Sequence, residues 1–250
     1  MYKKIIYDFG SNNGDDIPYY LLKSDLVIAV EANPILCDLI EIRFKDQISN
    51  GTLIVENCVI STGKTSEKVP FYIHKNHHVL SQFPKPVNDD QFEEVSLPSK
   101  NVIELIQKYG DPHYIKIDIE HYDEIILREL FLNNIVPPYI SAESHSIDVF
   151  ATLVALGKYK SFKLVDGGTV SSRYKDYDIS TTEGSVKYSF PLHSAGPFGN
   201  DISGKWMTSE NFFRVLAFSG LGWKDIHASN IEIPESSYAP QPHFTMAMNF

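Results

Sequence analysis

The sequence predicts one α/β domain built on a mainly parallel, doubly wound sheet with helices on both faces. Three observations predict it. Short apolar segments alternate with helix-patterned ones over roughly the first two thirds of the chain, which is the signature of βαβ units. Five of the apolar segments end in an acid or amide: Asp8, Glu31, Asn57, Asp118 and Glu143. A length of 250 residues suits one such domain with an elaboration and buries a core without staples.

Residues 5–8 read as a short apolar strand, and 15–23 as a helix with Pro18 accommodated in its first turn. Residues 26–31 are a buried strand. Asn33 and Pro34 are an N-cap followed by a first-turn proline. The helix they open runs to about Lys45, with Ile35, Leu39 and Ile42 on one face. Residues 52–58 form a third strand and 71–73 a short extra one. Residues 74–98 read as irregular, with Pro84, Pro86 and Pro98. Ser99 caps a helix that Gly110 and Pro112 end. Strands at 114–118, 139–143 and 162–165 then alternate with helices at 121–132 and 147–156. Residues 166–220 are rich in Gly, Ser, Tyr and Thr; long irregular segments of this kind are usually functional loops or disordered. A helix at 209–218 and a strand at 223–228 follow, and the stretch from Pro234 has no clear periodicity.

The formal net charge is −10, with no useful Lys/Arg run, so a nucleic-acid partner is not expected. The two cysteines, Cys37 and Cys58, form no CxxC and no disulfide framework. No apolar run approaches the roughly 18 residues of a membrane helix, and the amino terminus does not read as a signal peptide. A soluble, cytoplasmic protein with no membrane partner is expected.

Right-handed crossovers place helices on both sheet faces, and ligands bind outside the carboxyl ends of the strands. The five strand-end residues should therefore approach one edge. The loop Asp8-Phe-Gly-Ser-Asn-Asn-Gly14 joins a strand to a helix. Gly10 permits a tight turn and close approach, Gly14 permits close packing at the helix start, and Asn12 tolerates the left-handed region. Glu31 ends the second strand, where an acid can accept both hydroxyls of a ribose. Asp8, Asp15 and Asp16 make the loop and helix start acidic, which would repel a pyrophosphate. S-adenosylmethionine has no phosphate and brings an ammonium and a sulfonium, which acids suit. The competing readings are a nucleotide-dependent oxidoreductase and a non-catalytic module that keeps the fold.

With that loop, Val30-Glu-Ala-Asn-Pro34 and Tyr114-Ile-Lys-Ile-Asp-Ile-Glu120 in order, residues 5–165 resemble the FkbM family of S-adenosylmethionine-dependent methyltransferases. The resemblance implies a class I methyltransferase fold: seven strands, mostly parallel, the last antiparallel. Residues 223–228 would be that last strand, making 1–250 a single domain. Residues 166–220 are then a lid or acceptor-binding insertion, and 232–250 a tail. The resemblance further implies that Gly10 and Gly14 border the methionine part, with Asp8 supporting it, and that Ser11 and Asn12 of the same loop also bind the cofactor. Glu31 would hold the ribose, Ala32 would lie beside the adenine, and Asn57, Cys58 and Val59 would flank it. Asp118 would lie near the transferred methyl. The family usually has Gly after the acid of its third motif, where this chain has His121.

Asp118, Glu120 and His121 close one strand, and Glu143, Ser144 and His145 the next. Adjacent strands would bring Asp118, Glu143, His121 and His145 together beside the methyl donor as candidate catalytic groups. His121 or His145 would act as a base on a hydroxyl, and Glu120 and His121 alternatively begin the next helix. A divalent ion on Asp118 with Glu143 or His145 is the less favoured alternative. His74-x-x-His77-His78 invites a metal reading but has no nearby acid or cysteine. Ser81-Gln-Phe83 reaches the adenine or the acceptor, and the segment from Leu192 to Gly199, with Trp206 and Trp223, is a lid, an acceptor wall or a cover for the sheet. The resulting expectation is O-methylation of a hydroxyl on a glycan or small metabolite, the O-linked choice resting on the resemblance.

Overall fold

The computed structural model describes residues 3–181 and 183–235, without the side chain of His78. In chain order, β1 (Ile5–Phe9), α1 (Ile17–Leu21), β2 (Leu26–Glu31), α2 (Pro34–Arg43), α3 (Lys45–Ser49) and β3 (Leu53–Asn57) form the first half of the sheet and its helices. β4 (Val59–Ser61), β5 (Lys68–His74) and β6 (Phe92–Asn101) form a small separate layer. The second half comprises α4 (Val102–Tyr109), β7 (Pro112–Ile117), α5 (Asp123–Leu132), β8 (Tyr139–Ser144), α6 (Ile147–Ala155) and β9 (Ser161–Asp166). α7 (Val170–Arg173), the hairpin of β10 (Tyr177–Thr181) and β11 (Gly184–Tyr188), α8 (Ser209–Ser219) and β12 (Gly222–Ser229) complete the described elements.

The main sheet has seven strands in the order β3-β2-β1-β7-β8-β12-β9. Every pairing is parallel except those of β12, which runs antiparallel between β8 and β9. This is the expected fold. β1 and β2 are buried along their whole length, as apolar strands covered on both faces must be. One face packs Phe9, Ile117 and Ala142 against α4, α5, α6 and α8; the other packs Ile6 and Tyr114 against α1 and the segment after β9. Strand order reverses direction between β1 and β7, where such sheets open their ligand crevice.

Several local expectations are corrected. The α2 residues Ile35, Leu39 and Ile42 are 69%, 49% and 76% exposed, and Leu36, Cys37 and Ile40 are buried instead. Both sets have helical spacing, and contact with the sheet selects the second. The helix also breaks at Phe44, so Lys45 starts α3. Residues 92–98 are not irregular: β6 pairs antiparallel with β5 along its length and parallel with β4. Ser99 lies in that strand, and Asn101 is the cap of α4, accepting from the amides of Ile103 and Glu104. The helix expected from His121 starts at Asp123. Of the tail, 232–235 is described and 236–250 lies outside the described residues.

The correction to α2 has a direct test. Ile40→Ala should lower unfolding free energy by about 2–5 kcal/mol, a buried aliphatic loss. Ile42→Ser should stay within about 0.5 kcal/mol of wild type. Equal losses in urea unfolding would mean that the helix face is assigned the wrong way round.

Candidate active site

The β1–α1 turn folds back on β2 because its amides have partners there. The amides of Gly10 and Ser11 donate to the Val30 carbonyl at 3.0 and 3.1 Å. Gly10, Asn12 and Gly14 all have positive φ, at 83°, 49° and 78°. A Cβ on Gly10 would stand 1.8 Å from the Asp118 carbonyl oxygen, so the close approach of this turn to β7 needs glycine. Gly14 faces Phe44, Ile17 and Ile40 and serves packing. The Ser11 hydroxyl is buried, donating to the Asp8 carbonyl.

Glu31 staples two loops. One carboxylate oxygen accepts from the Asn12 amide at 2.8 Å and the other from the Asn33 amide at 2.7 Å. Burial nevertheless pushes its pKa up to about 7. The Asn57 side-chain amide donates to the carbonyls of Glu31 and Ala32 at 2.9 and 3.0 Å, fixing the end of β2.

Lys116 is the residue that sequence reasoning missed. It is 3% exposed near the carboxyl end of β7, 3.4 Å from Asp8 Oδ1 and 3.2 Å from Asp118 Oδ2. It also donates to the Gly10 carbonyl at 3.0 Å. Burial opposes its charge, but the carboxylates of Asp8 and Asp118 outweigh it and hold the ammonium well above its usual range. The available signal was a lysine inside an otherwise apolar strand, where only a partnered charge is tolerable.

A cleft of about 500 Å³ opens at this edge. Its floor is Gly10, Asn12, Glu31, Ala32, Cys58 and Val59. Its apolar wall includes Leu36, Phe71 and Phe83, with Val79, Leu80 and Ser81 from the turn after β5. Phe83 meets Tyr122 edge to face at 5.0 Å. The polar end holds Asp118, Glu120, Glu143 and His145, with His193 and Trp223 from the carboxyl-terminal part. Of the expected binding residues, Asp8, Ser11, Gly14 and Asn57 support the cleft without lining it. Asp118, Glu143 and His145 line its polar end; His121 is exposed above it, its ring 4.5 Å from that of His145.

The polar end concentrates like charge. His145 Nε2 lies 2.8 Å from Glu143 Oε2 and 3.5 Å from Glu120 Oε2. Neither contact is aligned as a hydrogen bond, so that nitrogen has no hydrogen-bond partner among the described residues. Burial first, and then the charge of Asp118, push the pKa of both glutamates upward. Burial and the neighbouring His145 push that of His121 downward. Glu120 and His121 have φ of 52° and 65°, outside the helix that the sequence places there. An imidazole thus occupies a left-handed position that a glycine would take without strain.

The acids at the α1 start play other parts than expected, and the His74 cluster does not take up the disfavoured metal reading. Asp15 pairs with Arg43 at 2.7 Å, and Asp16 accepts from the Ser194 hydroxyl and the Ala195 amide. Neither lines the cleft, so the acidic helix start is not what a ligand meets. The acids that line the cleft are Glu31, Asp118, Glu120 and Glu143, and no Lys or Arg is among its described lining residues. The His74 cluster is not arranged for a metal: His74 Nδ1 accepts from the amides of Asn76 and His77, and Nε2 faces Gln91 Oε1 at 3.1 Å. His78's side chain lies outside the description.

The segment after β9 is pinned to the sheet. Tyr19 and Lys23 of the α1 region both reach Asp201 at 2.8 Å, and Phe198 stacks on Tyr114 at 4.1 Å. Asp16 completes the anchor, which brings His193 to the cleft. Trp223 lies against Gly167, where a Cβ would meet the indole at 2.4 Å, and stacks with His193 at 6.0 Å. Trp206 is buried away from the cleft, its indole N–H donating to Asn200.

The sheet order, the antiparallel β12 and a cleft at the β1–β7 switch point define a class I methyltransferase fold. The model of the methyltransferase FkbM domain matches residues 8–162, and the chain belongs to that family. No curated protein matches it significantly. Among solved structures, a methyltransferase FkbM from Methylobacillus flagellatus aligns at 13% identity and TM-score 0.45, over 66% of this chain and 40% of that one. The present chain thus spans well under half of that relative. An O-methyltransferase from Bacillus cereus in complex with SAH aligns at 9% identity and TM-score 0.37, covering 91% and 74% of the two chains. A spermidine synthase in complex with the transition-state analogue AdoDATO aligns at 10% identity and TM-score 0.40, covering 95% and 57%. No helix among the described residues is long and apolar enough to cross a membrane.

Proposed function

We propose that the chain transfers the methyl group of S-adenosylmethionine to a hydroxyl of a small metabolite or glycan. The observation that carries the reading is the cleft itself. A buried carboxylate at its floor, Glu31, keeps acceptor capacity beyond its two amide bonds, and three more acids stand at the other end with no cationic residue lining the space. That arrangement repels a pyrophosphate and suits a cationic, phosphate-free nucleoside.

Glu31 would accept the ribose hydroxyls, and Ala32, Cys58 and Val59 would border the adenine. The methionine part would lie along Gly10 and Asn12 toward Asp118, which Lys116 holds in place. The acceptor enters at Glu143 and His145. Its oxygen bonds to the methyl carbon as the carbon–sulfur bond breaks, and the bonding pair stays on sulfur. The acceptor proton passes to His145, whose contact with Glu143 stabilises the imidazolium formed. Because the donor is already activated, orientation supplies most of the remaining effect. The aromatic cover formed by His193 and Trp223, with few basic residues, suits a sugar or similar hydroxylated acceptor better than nucleic acid.

The ribose assignment carries a pH signature. Glu31 is ionised above about 7 and takes up a proton below it, losing acceptor capacity. S-adenosylhomocysteine affinity should therefore fall as pH drops through about 7. Glu31→Gln should weaken binding by about 10–100-fold at pH 8, the cost of removing a charged hydrogen-bond acceptor, and flatten the pH profile. Calorimetry that showed unchanged affinity for the variant would remove Glu31 from the ribose.

A further inference from the structure

The strand register places the acids in rows. Asp8 pairs with Lys116 and Lys116 with Ser141, so these three side chains share one sheet face. One step along, past the pair Ile117 and Ala142, Asp118 continues the ladder, its backbone N–H donating a hydrogen bond to the Phe9 carbonyl. Glu143 is in register with Asp225 on β12. Asp118, Glu143 and Asp225 thus form a lateral row across three adjacent strands, on the face that carries Lys116.

Lys116 is committed to Asp8 and Asp118. Glu120 reaches over the row from the turn after β7, and carboxylate oxygens of Asp118, Glu120 and Glu143 lie within 4.8 Å of one another. Donors around an octahedral ion are about 3–4 Å apart when each bond is about 2.1 Å, so small side-chain movements close this set on one cation. A second observation is independent of that cluster. Asp225 is 4% exposed, and its Oδ1 has no hydrogen-bond partner among the described residues. Cross-strand neighbours on one face stand about 5 Å apart at Cβ, so this buried carboxylate backs directly onto Glu143. With one oxygen unpartnered, the buried Asp225 adds a fourth acid directly behind the three that cluster in the cleft.

We propose that Asp118, Glu120 and Glu143 bind one divalent cation of the magnesium or manganese type, with Asp225 positioning Glu143. An all-oxygen donor set favours those ions. The histidines, His121 and His145, stay beside the ion rather than on it: they group with Glu120, apart from the all-carboxylate set, and His145 Nε2 contacts Glu143 Oε2 at 2.8 Å. On the functional reading above, the ion would orient the acceptor hydroxyl and favour its deprotonation, leaving the proton to His145. The site itself needs no methyl donor, so its test is separate from that of the donor.

The test is titration of the donor-free protein with manganous ion, followed by loss of the free-ion electron paramagnetic resonance signal. One ion should bind per chain. Glu143→Gln should abolish binding, Asp225→Asn should weaken it about tenfold, as loss of a residue supporting a ligand does, and Glu31→Gln should leave it unchanged. Bound manganese should also broaden the ring resonances of His121 and His145 in the wild-type protein, a readout that holds if a variant fails to fold. Absence of binding at millimolar manganese, or binding with no broadening of those rings, overturns the proposal. So does undiminished binding in a folded Glu143→Gln protein.

Discussion

Replacing Gly10 with alanine should be among the most damaging single changes in this chain. The new Cβ would lie 1.8 Å from the Asp118 carbonyl oxygen, a backbone atom with no freedom to retreat, at a φ of 83°. The left-handed conformation alone costs about 1–2 kcal/mol for an L side chain. Relief of the overlap must separate the β1–α1 turn from the end of β7. That is the junction where Gly10 and Asn12 meet Asp118 in the cleft wall. We expect a destabilisation of about 4 kcal/mol, in the range reserved for backbone overlap and strain, and with it a melting temperature lower by about 10 °C. Residual folded protein should bind S-adenosylhomocysteine poorly. A Gly10→Ala protein with wild-type melting and binding would show that the turn does not abut Asp118 as described. Gly51, whose Cβ would meet nothing within 4 Å, separates overlap from conformation: with a φ of 77°, its alanine variant should show only the backbone cost.

Lys116→Met should have a comparable effect for an electrostatic reason. The methionine fills the same channel but leaves Asp8 and Asp118 facing each other without their shared cation. Breaking a buried pair by removing one partner costs about 3–5 kcal/mol. The second carboxylate provides the control. Asp8→Asn in the Lys116→Met background removes the uncompensated buried charge and should restore about 1–3 kcal/mol, an interaction energy typical of residues in direct contact. Purely additive losses in a double-mutant cycle would mean that Lys116 packs without supporting the two acids.

The residues that define the fold announce themselves because they obey simple periodicities. Apolar strands such as β2, the proline at the start of α2 and the glycines of the first turn each follow from backbone sterics or from burial on both faces. The ends of strands are equally legible: Glu31, Asp118 and Glu143 are expected at one edge and stand there. What was hidden depends on which neighbour a side chain meets. The choice between the Leu39 face and the Ile40 face of α2 is set by the sheet beneath it: Leu39 is exposed and Ile40 buried. Lys116 lies within a largely apolar strand and Asp225 within a mixed one, and the neighbours that decide their surroundings, Asp8 for the first and Glu143 for the second, come from strands distant in sequence. Asp15 and Asp16 look like ligand-facing acids until Arg43 and the Ser194 segment are in place. β6 was obscured because it pairs outside the main sheet and carries polar residues on an exposed face. The strained pair Glu120 and His121 was visible only as a departure from the family's glycine, and its φ values give that departure a physical meaning.

The central claim is that the cleft from Glu31 to Asp118 holds a phosphate-free nucleoside carrying an amino-acid ammonium group, as S-adenosylmethionine and S-adenosylhomocysteine both do. Parallel calorimetric titrations of the wild-type protein at pH 8 with S-adenosylhomocysteine and with NAD test it most directly. One binding site per chain is predicted for S-adenosylhomocysteine and none for NAD. No heat from S-adenosylhomocysteine at millimolar concentration, or a saturable NAD isotherm, would contradict it.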